Sequence, residues 1–258
     1  MHLPSWSQRL FLVLAFGLGI AAFSADLSSA IPNAATGKAA SPDLSKLQAM
    51  LKDAKTPRTW LFTGDSITHG ARWTAGRRSF PEIFAERVRW ELRRMDDIVI
   101  NTGISGNKAK DILDNYDWRV RRFKPDVVIL LVGMNDCAAK DLTPELFGER
   151  LTALVKNIRA DGGIPVLETP NTVKPGSRDH ALPPFVAQIR KVAEAENAIL
   201  VDHAAVWEQA AKGGLPAGKW MADAIHPSAE GHRQMAVAIF KALGIHDPKS
   251  ACETVAIP

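Results

Sequence analysis

The chain has little cysteine and almost no tyrosine: two Cys and one Tyr in 258 residues. Cys137 and Cys252 can form at most one bridge, which excludes a disulfide-stapled scaffold. Nothing local fixes their separation, and they read as two free buried thiols. No H-E-x-x-H and no C-x-x-C pair occurs, so a metal site has no motif support. The glycine-rich stretch "GISGNK" lacks the Gly-Lys-Ser/Thr ending of a phosphate loop. No other feature asks for a flavin or any further cofactor. Charge of one sign is also missing, with 32 basic against 28 acidic residues and a formal net charge of +4. Arg87, Arg89, Arg93 and Arg94, and then Arg119, Arg121 and Arg122, are interleaved with Glu86, Glu91 and Asp117. They read as solvated helix faces, not as a nucleic-acid footprint.

Long apolar runs are confined to the N-terminus. Leu10 to Phe23 falls short of the ~20 residues a membrane span needs. Arg9 precedes it and small residues follow through Ala30, the order of a secretory signal peptide. Residues 1–30 are therefore expected to be a leader, cleaved after Ser24, Ala25 or Ala30, with an uncleaved anchor as the other reading. No cysteine near these points offers a lipid attachment. The expectation is a secreted or periplasmic protein without stable membrane insertion; nothing in the sequence sets an oligomeric state.

The rest of the chain has a rhythm. Residues 31–57 read as a linker and a short helix, with Leu44, Leu47, Met50 and Leu51 on one side. Strand patterns at 58–63, 97–101, 126–133, 164–170 and 198–202 alternate with helix patterns at 79–95, 108–123, 144–160, 183–196 and 228–243. "DVVILLVG" is almost wholly apolar, as a strand covered on both faces should be, and Gly244 is a helix stop signal. Such alternation implies α/β architecture: a three-layer, doubly wound, mainly parallel sheet. One domain over 58–245 accounts for it, with 246–258 as a C-terminal tail.

In open parallel sheets, ligands bind beyond the carboxyl ends of the strands. After the first strand comes "LFTGDSITHG", with Gly64, Asp65 and Ser66; after the second comes "NTGISGNK", with Gly103 and Gly106. "GMNDC" follows the third, with Asn135 and Asp136, and "DAIHPS", with Asp223 and His226, precedes the last helix. These four blocks, in this order from Gly64 to His226, resemble those of the SGNH (GDSL) hydrolase superfamily. The resemblance implies a flavodoxin-like fold and ester hydrolysis without a cofactor. A serine hydroxyl needs an adjacent base; His226 is the candidate base for Ser66, and Asp223 could hold its other nitrogen. An unperturbed histidine titrates near ~6.5, and Asp223 is expected to push His226 above it. The resemblance assigns the oxyanion hole to the Ser66 N–H, the Gly106 N–H and the Asn135 side chain, with Gly103 as rival to Gly106. Asp65, Asp136 and His69 read as groups that fix loops.

Each residue also has a plainer reading, with Ser66 as a helix cap, His226 as a turn residue before Pro227 and Asn135-Asp136 as a turn. Seven tryptophans stand against one tyrosine. Trp60 and Trp90 read as core, and Trp118 shares core-like spacing with Leu113. Trp73 and Trp220 lie in loop-like segments near the site and could stack on a sugar ring. With no long apolar lid in sight, the expected substrate is a small-molecule or glycan ester, and the expected activity a short-chain or carbohydrate O-acetylesterase. A lysophospholipase or thioesterase, and an inactive carbohydrate-binding protein of the same fold, are the alternatives.

Overall fold

A computed structural model describes residues 41–70, 72–216 and 218–254. The leader expectation for 1–30 and most of the linker lie outside them. The elements run α1 (Pro42–Lys52), β1 (Thr59–Gly64), α2 (Ser66–His69), α3 (Phe80–Glu86), β2 (Ile98–Asn101), α4 (Ala109–Asp114), α5 (Tyr116–Arg119), β3 (Val127–Leu131) and α6 (Pro144–Ala160). Then follow β4 (Ile164–Glu168), α7 (Leu182–Ala195), β5 (Ile199–Val201), α8 (His203–Lys212), α9 (Ala229–Leu243) and α10 (Ala251–Thr254). The five strands form one sheet in the order β2-β1-β3-β4-β5, every neighbouring pair parallel.

Period-2 alternation divides the core between the two faces of the sheet. Trp60, Phe62, Val127, Ile129 and Leu131 point to the side covered by Leu47, Phe80, Phe84, Ile239 and Phe240 of α1, α3 and α9. Leu61, Val128 and Leu130 point to the side covered by Ile112, Leu151, Val155 and Ile189 of α4, α6 and α7. Because both faces are covered, β3 is apolar at every position and wholly buried. This is the three-layer α/β/α arrangement that the alternation of patterns implied. Among the described residues, no helix is long and apolar enough to cross a membrane.

Two helices expected to be continuous are broken. Over 79–95, Ser79 opens α3 with a capping box to Glu82, but the helix widens at Arg87–Glu91 into a π-helical turn. Buried Arg87 donates there through Nε and Nη2 to the Ile245 carbonyl. The extra residue rotates the stripe, so Trp90 is 64% exposed and is not the core residue its spacing suggested. Over 108–123, the Asn115 amide donates to the Asp111 carbonyl at 2.8 Å, taking the acceptor that the next turn would use and closing α4. A 3-10 turn, Arg121–Phe123, then ends on left-handed Lys124 before Pro125. Trp118 is 49% exposed, its Nε1–H donating to Asn115 Oδ1; it too is off the core.

Cys137 and Cys252 are free thiols, both pushed up to about 11 by burial. Trp60 is fully buried as expected, with its indole N–H donating to Asp97 at 2.8 Å.

Candidate functional site

The carboxyl ends of β1, β2 and β3 and the turn before α9 converge on one place. β1 ends at Gly64, where a Cβ would come within 2.3 Å of the Leu131 carbonyl oxygen on the neighbouring strand. Glycine is therefore what lets β1 lie against β3 and turn at once into α2. Asp65 caps that short helix, its Oδ1 accepting the Ile67 N–H at 2.8 Å. Ser66 is the first residue of α2, and its hydroxyl lies 2.9 Å from His226 Nε2.

His226 and Asp223 share one closed loop. The chain from Met221 to Pro227 is pinned by an antiparallel bridge between those two residues and by Ala222 N–H donating to the His226 carbonyl. Asp223 Oδ1 accepts the backbone N–H of Ile225 at 2.8 Å and of His226 at 2.7 Å. Its other oxygen, Oδ2, lies 2.8 Å from His226 Nδ1. Both carboxylate oxygens are thereby committed, one to the loop and one to the ring. The loop is braced from the segment after β4: the buried Asn171 amide donates to the Ile225 carbonyl at 3.2 Å, and the Lys174 N–H to the Ala224 carbonyl at 2.9 Å.

The charges follow from this packing. Partial burial alone would raise the Asp223 carboxyl, but the backbone N–H groups of His226 and Ile225 and the imidazole outweigh it and bring it down to about 2. His226 is lowered from its ordinary 6.5, first by burial; Asp223 pulls it upward, while Arg178 and Arg72 add to the lowering. Asp223 does pull His226 upward as expected, but not above its ordinary value: burial outweighs it, and the net shift favours the neutral ring. With Asp223 accepting at Nδ1–H, Nε2 faces the Ser66 hydroxyl with its lone pair. Such an array can take the hydroxyl proton as the oxygen attacks an electrophile.

Of the expected oxyanion hole, Ser66 opens α2, while Gly106 and Asn135 lie on two neighbouring loops. Gly106 is left-handed, with φ +84°, exposed, and with open space where a Cβ would stand. Gly103 is packed tightly instead: a Cβ there would meet the His69 nitrogen at 2.7 Å. Asn135 donates through Nδ2 to the Asn107 carbonyl at 3.1 Å. Its Oδ1 accepts from Arg178 Nη1 at 3.2 Å, and the same guanidinium nitrogen donates to the Met134 carbonyl at 2.6 Å. Arginine has only donors, so it can face only the oxygen of the amide, which turns Nδ2 away from it. Buried Asp136 ties the two loops together, accepting from Ala109 N–H at 3.0 Å and Gly133 N–H at 2.9 Å.

Asp65 and His69 sit as loop-fixing groups. Burial raises the Asp65 carboxyl to about 7, and His69 Nδ1 lies 3.1 Å from Ser105 Oγ. Arg119 of α5 is fully buried and clamps the first two blocks together. Its Nη2 donates to the Thr102 carbonyl at 2.7 Å, the Gly64 carbonyl at 3.1 Å and Thr63 Oγ1 at 3.3 Å, while Nη1 donates to Asn107 Oδ1. Arg119, Arg178 and Asn171 were not singled out from sequence. The last two follow β4, the one central strand end whose downstream residues were not considered, and Arg119 was read as a solvated face.

The two tryptophans part company. Trp73 lies flat on His226, ring centroids 3.6 Å apart and planes 10° from parallel. Trp220 is buried and packs edge-on against Trp207 at 5.0 Å. Its place in the core removes it as a sugar-stacking ring, because its faces are spent on packing. Among the described residues, no group of three His, Cys, Asp or Glu is placed to hold a metal ion.

The sequence matches the model of the GDSL-like Lipase/Acylhydrolase family over residues 62–234, a span that contains all four blocks. It is 27% identical over 205 residues to an acetylxylan esterase of Geobacillus stearothermophilus, covering 71% of this chain and 93% of that protein. Among solved structures, a putative GDSL-like lipase from Parabacteroides merdae superposes with a TM-score of 0.65 at 26% identity, covering 74% of this chain and 98% of the other. Axe2, an acetylxylan esterase from Geobacillus stearothermophilus, shares the fold with a TM-score of 0.62 at 22% identity over 73% of this chain and 95% of its own. The chain belongs to the GDSL-like lipase/acylhydrolase family and is a carboxylic ester hydrolase.

Proposed function

We propose that the protein is an exported serine esterase that removes short acyl groups, acetyl above all, from carbohydrate through an acyl-serine intermediate. The observation that carries the mechanism is the relay from Ser66 Oγ to His226 Nε2 at 2.9 Å and from His226 Nδ1 to Asp223 Oδ2 at 2.8 Å. Ser66 attacks the ester carbonyl as His226 takes its proton, and Asp223 holds the tautomer and offsets the charge on the imidazolium. The negative charge that develops on the carbonyl oxygen is met by the N–H groups of Ser66 and Gly106 and by Asn135 Nδ2. Each such donor is typically worth ~3 kcal/mol of barrier. His226 then returns its proton to the leaving alcohol. Water repeats the sequence on the acyl-enzyme, with His226 as base again.

The acetyl-carbohydrate preference is supported by the relative described as an acetylxylan esterase. Two variants of the same-fold Axe2, solved as catalytic mutants, carry alanine in place of a serine and of an aspartate. Export is supported by the signal-like order of residues 1–30. A fluorophosphonate probe should label the wild-type protein and fail to label Ser66→Ala, which stays folded and loses nearly all esterase activity. An active Ser66→Ala protein would sink the assignment. Acetylated xylo-oligosaccharides should be hydrolysed in preference to long-chain acyl esters; the reverse order would mean a lysophospholipase or thioesterase. Absence of labelling in the wild type would mean an inactive binding protein.

A further inference from the structure

Trp73 covers one face of the only imidazole in contact with Ser66 among the described residues. Asp223 meets that imidazole at Nδ1 and Ser66 at Nε2, and two hydrogen bonds in the ring plane leave the ring free to tilt about the line that joins the two nitrogens. A flat indole at 3.6 Å removes that freedom. Resting on the proposed roles of Ser66, Asp223 and His226, we propose that Trp73 is a positioning residue for the base. It fixes the plane of the His226 ring and stabilises its protonated form as the proton leaves Ser66.

The physical reason is a difference between two states of one contact. Against neutral imidazole the indole face offers mainly dispersion. Against imidazolium it adds the attraction of a cation for the negative face of a π-system, for which Trp is the best side chain. The contact therefore strengthens as charge develops, which is the condition for lowering a barrier and not merely binding substrate. The surrounding charges leave a need for it. Asp223 favours the imidazolium, while Arg178 and Arg72 oppose it. His232, which also feels His226 electrostatically, is brought down to about 3 by burial and is neutral, so it adds no opposing positive charge. Ser66 faces the remaining nitrogen. With one face spent on His226, the indole can offer a substrate only its other face and its edge.

The test separates the π face from mere cover. Trp73→Leu keeps an apolar side chain over the imidazole, and Trp73→Phe keeps an aromatic one. The His226 Cε1–H signal is followed by NMR against pH in each full-length protein, beside kcat and KM on a chromogenic acetyl ester. In wild type and Trp73→Phe the signal should be shifted upfield by the ring current. In Trp73→Leu the titration midpoint should fall, because imidazolium loses its partner, and kcat should drop roughly 3- to 30-fold with KM little changed. Phe should restore most of the rate. A ring that served only as cover would have the opposite sign: its loss admits water and raises the midpoint. A midpoint in Trp73→Leu that stays or rises overturns the proposal, as does a kcat within twofold of wild type with KM increased. The midpoint is read without turnover, so it decides this proposal even if Ser66→Ala stays active and the proposed function fails.

Discussion

Replacing Arg119 by methionine should cost the fold and the site together. The guanidinium is fully buried and bonded to four acceptors on two separate blocks. The Gly64 carbonyl keeps a second donor, the Ile104 N–H at 3.0 Å. The Thr102 carbonyl, the Thr63 hydroxyl and the Asn107 side-chain oxygen lose the donor that Arg119 supplies. A buried acceptor left unpaired costs about 1–3 kcal/mol. Methionine fills much of the volume, and burying it releases the desolvation cost of the guanidinium, which offsets part of the loss. Three acceptors at that cost, less the desolvation released, give an expected net destabilisation of ~3–5 kcal/mol. For a chain of this size each kcal/mol lowers Tm by roughly 2–4 °C, so calorimetry should show a fall of about 6–20 °C. Activity should fall as well at temperatures where the variant is folded. Asn107 carries the carbonyl that holds Asn135 Nδ2, so its release loosens the expected oxyanion hole. A loss below ~1 kcal/mol would refute the reasoning, because it would mean that the two blocks hold their geometry without the clamp.

Two further predictions concern the site directly. The base must be neutral to act, so kcat/KM should rise with pH through the free-enzyme midpoint of His226. Burial and the two arginines place that midpoint below the ordinary 6.5. Arg178→Met removes a positive charge and should move it upward; a wild-type midpoint above 6.5 would contradict the assignment of burial as the dominant cause. Asn135→Ala should reduce kcat by roughly 10²–10³ with much less change in KM. A raised KM at unchanged kcat would make Asn135 a ground-state binding group instead.

Much of this architecture was legible in the sequence because it is local. β3 shows its double burial in its own composition, and α6 begins at a threonine cap followed by proline, matching the expected 144–160. The four blocks could be placed because parallel topology brings strand ends together. What escaped depended on distant partners. The π-helical turn at Arg87–Glu91 answers to a carbonyl 158 residues away, and no window of sequence around Trp90 reports that. Trp220 looks loop-like by its neighbours, yet Trp207 holds it in the core. α8 is a different kind of omission. Its cap was present, since Asp202 accepts the Ala205 N–H at 3.1 Å, but the aspartate was read only as the end of a strand. The lowered His226 was missed because a sequence shows its carboxylate neighbour and not its burial.

The 160 residues between Ser66 and His226 make activity a late event in the life of each chain. Synthesis delivers β1 and its serine early, and a chain complete through α7 can pair four of the five strands. That chain still has no base, because the loop carrying Asp223 and His226 is closed by contacts with Pro227 and Ser228 and anchored by α9. On the proposed roles, no nascent fragment that stops short of α9 can therefore act on an ester, whatever part of the sheet it has formed. Hydrolysis by this protein is then, on the same roles, a certificate that translation has run past α9 and that α9 has docked. A truncation before Asp223 would, on those roles, leave a sheet with a serine and nothing to activate it.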